Sequence, residues 1–209
     1  MKALIVPGVG GSEKAHWQSW LQEQLHDATR VEQDHWDKPV LDVWVQRFSD
    51  ILLQQTAPVQ VVAHSFGCLT TVAALNRYPA LAQRISGLLL VAPANPERFS
   101  SNGLRQDGEA SIVSQLQHTA LPVPARLIAS RNDPWLSFDA ATLWASRWEA
   151  ALVDLGEAGH INVAAGYGAW PEIFQYLPAG IHKKRVVRQH KAAMPVTAAQ
   201  RSVPVSGLI

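Results

Sequence analysis

One cysteine, two methionines and no apolar run of membrane-spanning length set the first limits on this 209-residue chain. A single thiol forms no internal disulfide framework and no cysteine-based zinc site. A membrane helix needs roughly 18 consecutive apolar residues, and the chain has no such stretch. The opening apolar run, residues 3–7, is too short for the core of an export signal and is broken at Gly8, Gly10 and Gly11. These absences predict a soluble, cytoplasmic protein. Charge is also sparse. Charged residues make up 17% of the chain and hydrophobic residues 47%, which supplies a core and argues against disorder.

Motifs for metals and nucleotides are missing too. The eight histidines form no His-Glu-x-x-His or comparable ligand spacing, so no metal is expected. His16, His35 and His64 read instead as structural or pocket-lining residues. The loop Gly8-Val9-Gly10-Gly11 does not complete the dinucleotide fingerprint, and no Gly-Lys-Ser/Thr follows. No cofactor is expected.

Acidic residues are absent from residues 178–209, where Lys183, Lys184, Arg185, Arg188, Lys191 and Arg201 lie. The body before them holds more acid than base, with no basic face to recruit nucleic acid. The chain therefore reads as one domain, 1–177, and a basic C-terminal tail, 178–209, flexible or loosely docked. The tail's basic cluster is short and has little aromatic company, so neither nucleic acid nor a membrane is its expected partner.

Within the body, short β-branched runs alternate with longer helical patterns. Strands are expected over 2–6, 29–32, 59–63, 87–92, 125–129 and 151–154. Helices are expected over 16–25, 41–53, 66–77, 109–116, 138–150 and 170–176. Leu41, Trp44, Val45, Phe48, Ile51 and Leu52 recur at the spacing of one buried helix face. Such alternation makes a parallel sheet with helices on both faces. The expectation is an α/β, three-layer α/β/α sandwich of about six parallel strands. Residues 93–124 would form a small cap with one helix.

The segment richest in chemistry is Ala63-His64-Ser65-Phe66-Gly67, placed where a strand runs into a helix. A serine on such a sharp turn is held above the sheet edge, with helix N-terminal amides aimed at it. Alone, Ser65 would also read as a helix cap. Asp133 follows the strand over 125–129, and His160 lies in a glycine-rich loop after the strand over 151–154. Each alone would read as a turn or surface residue. All three sit at carboxyl ends of strands, where parallel sheets place their sites. Their order, Ser65, Asp133, His160, is that of an α/β-hydrolase triad. Two amides are needed for an oxyanion: Phe66, and one from the loop after the first strand, Val9 or its neighbour Gly10. His16, Trp17 and His64 are candidates for the substrate pocket. Trp20 and Trp36 also follow the sheet's carboxyl edge. Cys68 reads as a small core residue.

Several of these strings resemble the small YdeN-like serine hydrolases, relatives of retinoblastoma-binding protein 9 in the α/β-hydrolase superfamily. They are Pro7-Gly-Val-Gly-Gly-Ser12, His16-Trp-Gln-Ser-Trp20, Gln33-Asp-His-Trp-Asp37, Val62-Ala-His-Ser-Phe-Gly-Cys68, Leu90-Val-Ala-Pro93, Asn132-Asp-Pro134 and Gly156-Glu-Ala-Gly-His-Ile-Asn162. The resemblance covers about residues 1–177. It implies a hydrolase with a minimal lid and Ser65, Asp133 and His160 as its triad. Retinoblastoma-protein binding is not expected, because the only cysteine stands outside a Leu-x-Cys-x-Glu motif. The expected activity is hydrolysis of small carboxylic esters, with amides or thioesters as further substrates. A catalytically silent binding protein on the same fold, or a peptidase using the same triad, are the alternatives.

Overall fold

The computed structural model describes residues 1–116 and 119–181; the expected tail lies outside them from residue 182 onward. The body alternates strands and helices: β1 (Lys2–Val6), α1 (Trp17–Gln24), β2 (Ala28–Arg30), α2 (Leu41–Leu53), β3 (Val59–Ser65), α3 (Phe66–Arg77) and β4 (Ile85–Pro93). A short antiparallel ribbon, β5 (Phe99–Ser100) with β6 (Gly103–Leu104), follows. The chain then returns through β7 (Ala125–Ala129), α4 (Phe138–Arg147) and β8 (Ala151–Asp154). The six main strands form one sheet in the order β2-β1-β3-β4-β7-β8, parallel at every pairing.

Period-two alternation divides the strand side chains between two cores. Leu4, Val61, Leu90 and Leu127 face α2, α3 and α4. Ile5, Val62, Leu89, Val91 and Ile128 face α1 and the segment Trp170–Leu177. Central strands buried on both faces must be apolar throughout, which is why they read as continuous β-branched runs. The result is the expected three-layer sandwich. From β1 the chain steps outward to β2, then crosses back to β3 and on toward β8. Helices α1 and α3, which follow β1 and β3, therefore pack on opposite faces of the sheet, and the crevice lies at the carboxyl ends of these neighbouring strands.

Two expected helices are replaced by single 3-10 segments. Only Ile112–Gln115 of the stretch 109–116 is helical, and it is 3-10. Its apolar demand is small: Ile112 and Leu116 reach the core from one turn, and so short a helix has little stability of its own. No α-helix lies in the cap among the described residues. Near the C-terminus, Pro171–Tyr176 is 3-10 as well. Pro171 opens it and Pro178 follows it closely, leaving too few residues for α-helical turns. Strand β2 also lies one to two residues earlier than expected, and β3 and β4 run on to Ser65 and Pro93.

Packing continues a few residues past 177. Ile181 is buried with the α1-side core, and the terminal amine of Met1 donates to the Gly180 carbonyl at 2.9 Å.

Helix α3 packs closely on β1 at Gly67. A Cβ on Gly67 would overlap the Val6 carbonyl oxygen and lie 2.5 Å from that of Pro7. Helix propensity alone favours alanine over glycine by up to ~1 kcal/mol. The clash reverses that sign. Gly67→Ala is expected to lose about 1–3 kcal/mol of stability in urea unfolding. A neutral or stabilising result would show that α3 can retreat from β1.

Candidate active site

Ser65 is both the last residue of β3 and the cap of α3, with φ 54° and ψ −122°. That conformation is strained for a residue with a Cβ, by roughly 1–3 kcal/mol. A register shift between His64 and Ser65 accommodates it within the sheet. The loop after β1 lies directly against this turn. A Cβ on Gly8 would fall 2.7 Å from the Ser65 Cβ and 3.3 Å from the Phe66 nitrogen. Val9, next in the loop, lines the cavity beside Ser65. Gly10 cannot serve as the alternative oxyanion donor in this arrangement, because its amide already donates to the Trp36 carbonyl at 3.1 Å.

Arg30 holds the loop from outside. Its guanidinium donates to the Gly11 carbonyl, to Ser19 Oγ and to Gln22 Oε1, each at 2.8 Å. Burial lowers its pKa from the ordinary value, and these acceptors replace lost water. Gln18, wholly buried, ties Val6 and Val62 carbonyls together across β1 and β3.

Three residues named from the sequence come together at the crevice. His160 Nε2 lies 2.9 Å from Ser65 Oγ. His160 Nδ1 lies 2.9 and 3.0 Å from the two Asp133 carboxylate oxygens. The His160 and Asp133 side chains are only 8% and 3% exposed. A carboxylate can only accept, so Nδ1 carries the proton and Nε2 is left to accept from the Ser65 hydroxyl. The arrangement can move a proton off Ser65. Asp133 Oδ1 also accepts the Trp135 amide at 2.8 Å, which fixes the carboxylate on its turn.

Side chains from three other elements grip the histidine loop residue by residue. The Ala158 amide donates to Ser130 Oγ at 2.9 Å, and the Gly159 amide to Asn132 Oδ1 at 2.7 Å. The Ser130 hydroxyl donates to that same Asn132 oxygen at 2.8 Å. His64 Nε2 meets the His160 carbonyl at 3.0 Å, and Trp17 Nε1 donates to the Ile161 carbonyl at 2.8 Å. Sequence reasoning missed Ser130 and Asn132. Two short polar side chains directly after a strand, beside the candidate acid, were the available signal.

A cavity of about 290 Å³ opens onto Ser65 and His160. His16 and His64 line it, as anticipated, but Trp17 does not. Trp17 is fully buried, occupied with Ile161 and packed edge-on to Trp170. Nor do Trp20 and Trp36 reach the cavity; they pack on Phe174 and Trp44. Its apolar wall comes instead from Phe99 and Leu104 on the β5–β6 ribbon and from Trp135. The Arg98 guanidinium sits 4.0 Å above the Trp135 ring and holds it in place. Only tertiary contact brings the ribbon here.

Burial keeps the neighbouring imidazoles of His16 and His64 uncharged. It lowers the His16 pKa to about 4, with smaller contributions from the charges of Arg30 and His160. It holds His64 well below its ordinary 6.5, again helped by His160 and His16. Burial pushes the Cys68 thiol up, which removes it as a nucleophile. Among the described residues, no cluster of three or more His, Cys, Asp or Glu is placed to hold a metal ion.

The sequence model of the family described as serine hydrolase matches residues 3–179. The chain belongs to the serine hydrolase family. YdeN of Bacillus subtilis is 26% identical over 195 residues, which are 88% of this chain and 97% of YdeN. A crystal structure of a YdeN-like protein from Pectobacterium atrosepticum is 37% identical, with a TM-score of 0.75, covering 84% of this chain and 88% of that one. The Bacillus subtilis ydeN product shares the fold at 21% identity and a TM-score of 0.66, over 84% and 96% of the two chains. The family match spans nearly all the described residues. No helix among them is long and apolar enough to cross a membrane.

The buried histidines make stability depend on pH. His16 titrates near 4 in the fold and near 6.5 when free, so the unfolded chain binds the extra proton between those values. Stability should therefore hold above pH 6.5 and fall as pH drops toward 4, by about 3 kcal/mol from this residue. His16 Nδ1 also caps α1 by accepting the Gln18 amide. His16→Asn keeps an acceptor there, and urea midpoints from pH 8 to 4 should decline less steeply in this variant.

Proposed function

We propose that this serine hydrolase cleaves small carboxylic esters through an acyl-enzyme on Ser65. The observation that carries the reading is the unbroken chain Ser65 Oγ, His160 Nε2, His160 Nδ1, Asp133, opening onto a cavity. As Ser65 Oγ bonds to the ester carbonyl carbon, His160 Nε2 takes the hydroxyl proton. The carbonyl oxygen becomes an oxyanion between the amides of Val9 and Phe66, at the positive end of α3. Loss of one such donor typically costs about 3 kcal/mol of transition-state stabilisation. Collapse of the intermediate breaks the bond to the alcohol, which leaves with the His160 proton. A water then attacks the acyl carbon, giving its proton to His160, and the acid departs as Ser65 regains its hydrogen. Asp133 holds the tautomer throughout and stabilises the imidazolium.

Cavity size and lining support a small substrate. At about 290 Å³ the site lies at the lower edge of ligand pockets, which run from roughly 300 to 1,000 Å³. Phe99, Leu104 and Trp135 offer an apolar wall for an acyl chain. A p-nitrophenyl ester series should therefore peak at short chains. Amide and thioester analogues in the same panel rank the leaving group.

Treatment with a fluorophosphonate should add one adduct to the intact mass, absent in a folded Ser65→Ala variant. An adduct of equal yield in that variant would move the nucleophile elsewhere.

Replacing the acid is the second test. Asp133→Asn offers an amide to His160 Nδ1 and favours the wrong tautomer, so kcat should fall roughly 10²- to 10⁴-fold. Asp139 lies in the first turn of α4, and Asp154 pairs with Arg131 at 2.8 Å. Neither meets His160 in a described hydrogen bond. Asp139→Asn and Asp154→Asn should stay within about tenfold of the parent, or roughly 1.4 kcal/mol. Near-normal turnover in Asp133→Asn with collapse in either of the others would overturn the assignment.

A further inference from the structure

We propose that His64, the residue before the nucleophile, is a positioning residue that holds the main chain of His160 and so fixes the base from behind. The proposal rests on the reading of His160 as the general base. A carbonyl can only accept, so the 3.0 Å contact between His64 Nε2 and the His160 oxygen assigns the proton to Nε2 of His64. His64 is 4% exposed. Its ring centroid lies 4.9 Å from that of His16 and 5.0 Å from that of His160, with the Trp17 indole edge-on at 5.8 Å. Such packing leaves the imidazole little freedom to turn away.

The peptide that His64 holds is under strain. Ile161, directly after His160, has φ 49°, a left-handed backbone that β-branched residues avoid. Its two flanking carbonyls are pinned by different elements. His64 from β3 takes the carbonyl of His160, and Trp17 from α1 takes that of Ile161. Without the His64 donor, a buried carbonyl loses its partner and the strain at Ile161 can relax by rotation of that peptide. The His160 ring would move with it. A displacement of about 1 Å at a reacting group can cost on the order of a hundredfold in rate.

Neutrality suits His64 to this place. When His160 takes the Ser65 proton, a second imidazolium 5.0 Å away would oppose the charge. The buried, uncharged His64 supplies its hydrogen bond without that penalty. Its action also differs from that of Asp133, which grips the ring at Nδ1. His64 acts on the backbone and leaves the tautomer alone.

The test compares His64→Gln with His64→Leu. Glutamine carries its side-chain N–H about as far from the backbone as Nε2 of histidine, whereas leucine fills space without a donor. On a short p-nitrophenyl ester, His64→Leu should lose about ten- to a hundredfold in kcat with KM within about threefold. His64→Gln should recover kcat to within about fivefold. The rate of fluorophosphonate labelling should fall in step with kcat in His64→Leu, while still ending at one adduct per chain. Should His64→Leu fail to fold, Trp17→Phe reads the same clamp from the other side and should lower kcat with KM held. Full kcat in His64→Leu, or equal losses in the leucine and glutamine variants, would overturn the role while a dead Ser65→Ala left the triad standing. An active Ser65→Ala would instead bring down the reading of the site on which the proposal rests.

Discussion

The backbone of the loop after β1 lies against the backbone of the β3–α3 turn, and the geometry of the site depends on that contact. Gly8 stands where any Cβ would strike Ser65, and Gly67 where one would strike the Val6 and Pro7 carbonyls. Two glycines thus let a strand, a loop and a helix start meet at van der Waals distance. The loop can then bring Val9 to the cavity that Ser65 also lines. Ser65 is held in its strained conformation by the same packing, which explains how a few kcal/mol of local strain persists in a domain of marginal net stability.

Around this contact the site is held by side chains bonded to main chain more than by pairs of charges. Arg30 grips the carbonyls of the first loop. Ser130 and Asn132 take successive amides of the histidine loop, and His64 and Trp17 take the carbonyls that follow. Such bonds fix backbone position, which carries the ring of His160 with it. They also satisfy buried polar groups that would otherwise cost about 1–3 kcal/mol each. The imidazoles of His16 and His64 stay neutral through burial, whereas His160 pairs with Asp133 beside Ser65.

The ribbon β5–β6 shows a different economy. It contributes only two residues per strand, yet Phe99 and Leu104 from it form part of the cavity wall. Phe99 is fully buried against Phe66, with ring centroids 4.6 Å apart. A minimal cap is enough to wall a cavity when one of its side chains anchors in the core. Leu104, half exposed, is left to face the cavity.

By itself the sequence determined the layers, the six main strands to within a few residues and the order in which Ser65, Asp133 and His160 meet the sheet's carboxyl edge. It did so because doubly buried strands must be apolar along their whole length, and because turns after strands are written in glycine, proline and short polar residues. Those signals are local and survive in one dimension. Residues 109–116 and 170–176 misled for the same reason: a short apolar spacing satisfies one 3-10 turn as well as the start of a helix. Tertiary structure alone decided the hydrogen bonds within the site, the amide of Gly10 engaged by Trp36, and the choice of Trp135 over Trp17, Trp20 and Trp36 for the cavity. Indole rings follow the same sheet edge in all four cases, and which of them is sealed inside depends on partners such as Ile161, Phe174 and Trp44. Ile161 and Phe174 lie more than a hundred residues along the chain from Trp17 and Trp20, and distance in sequence carries no trace of contact in space.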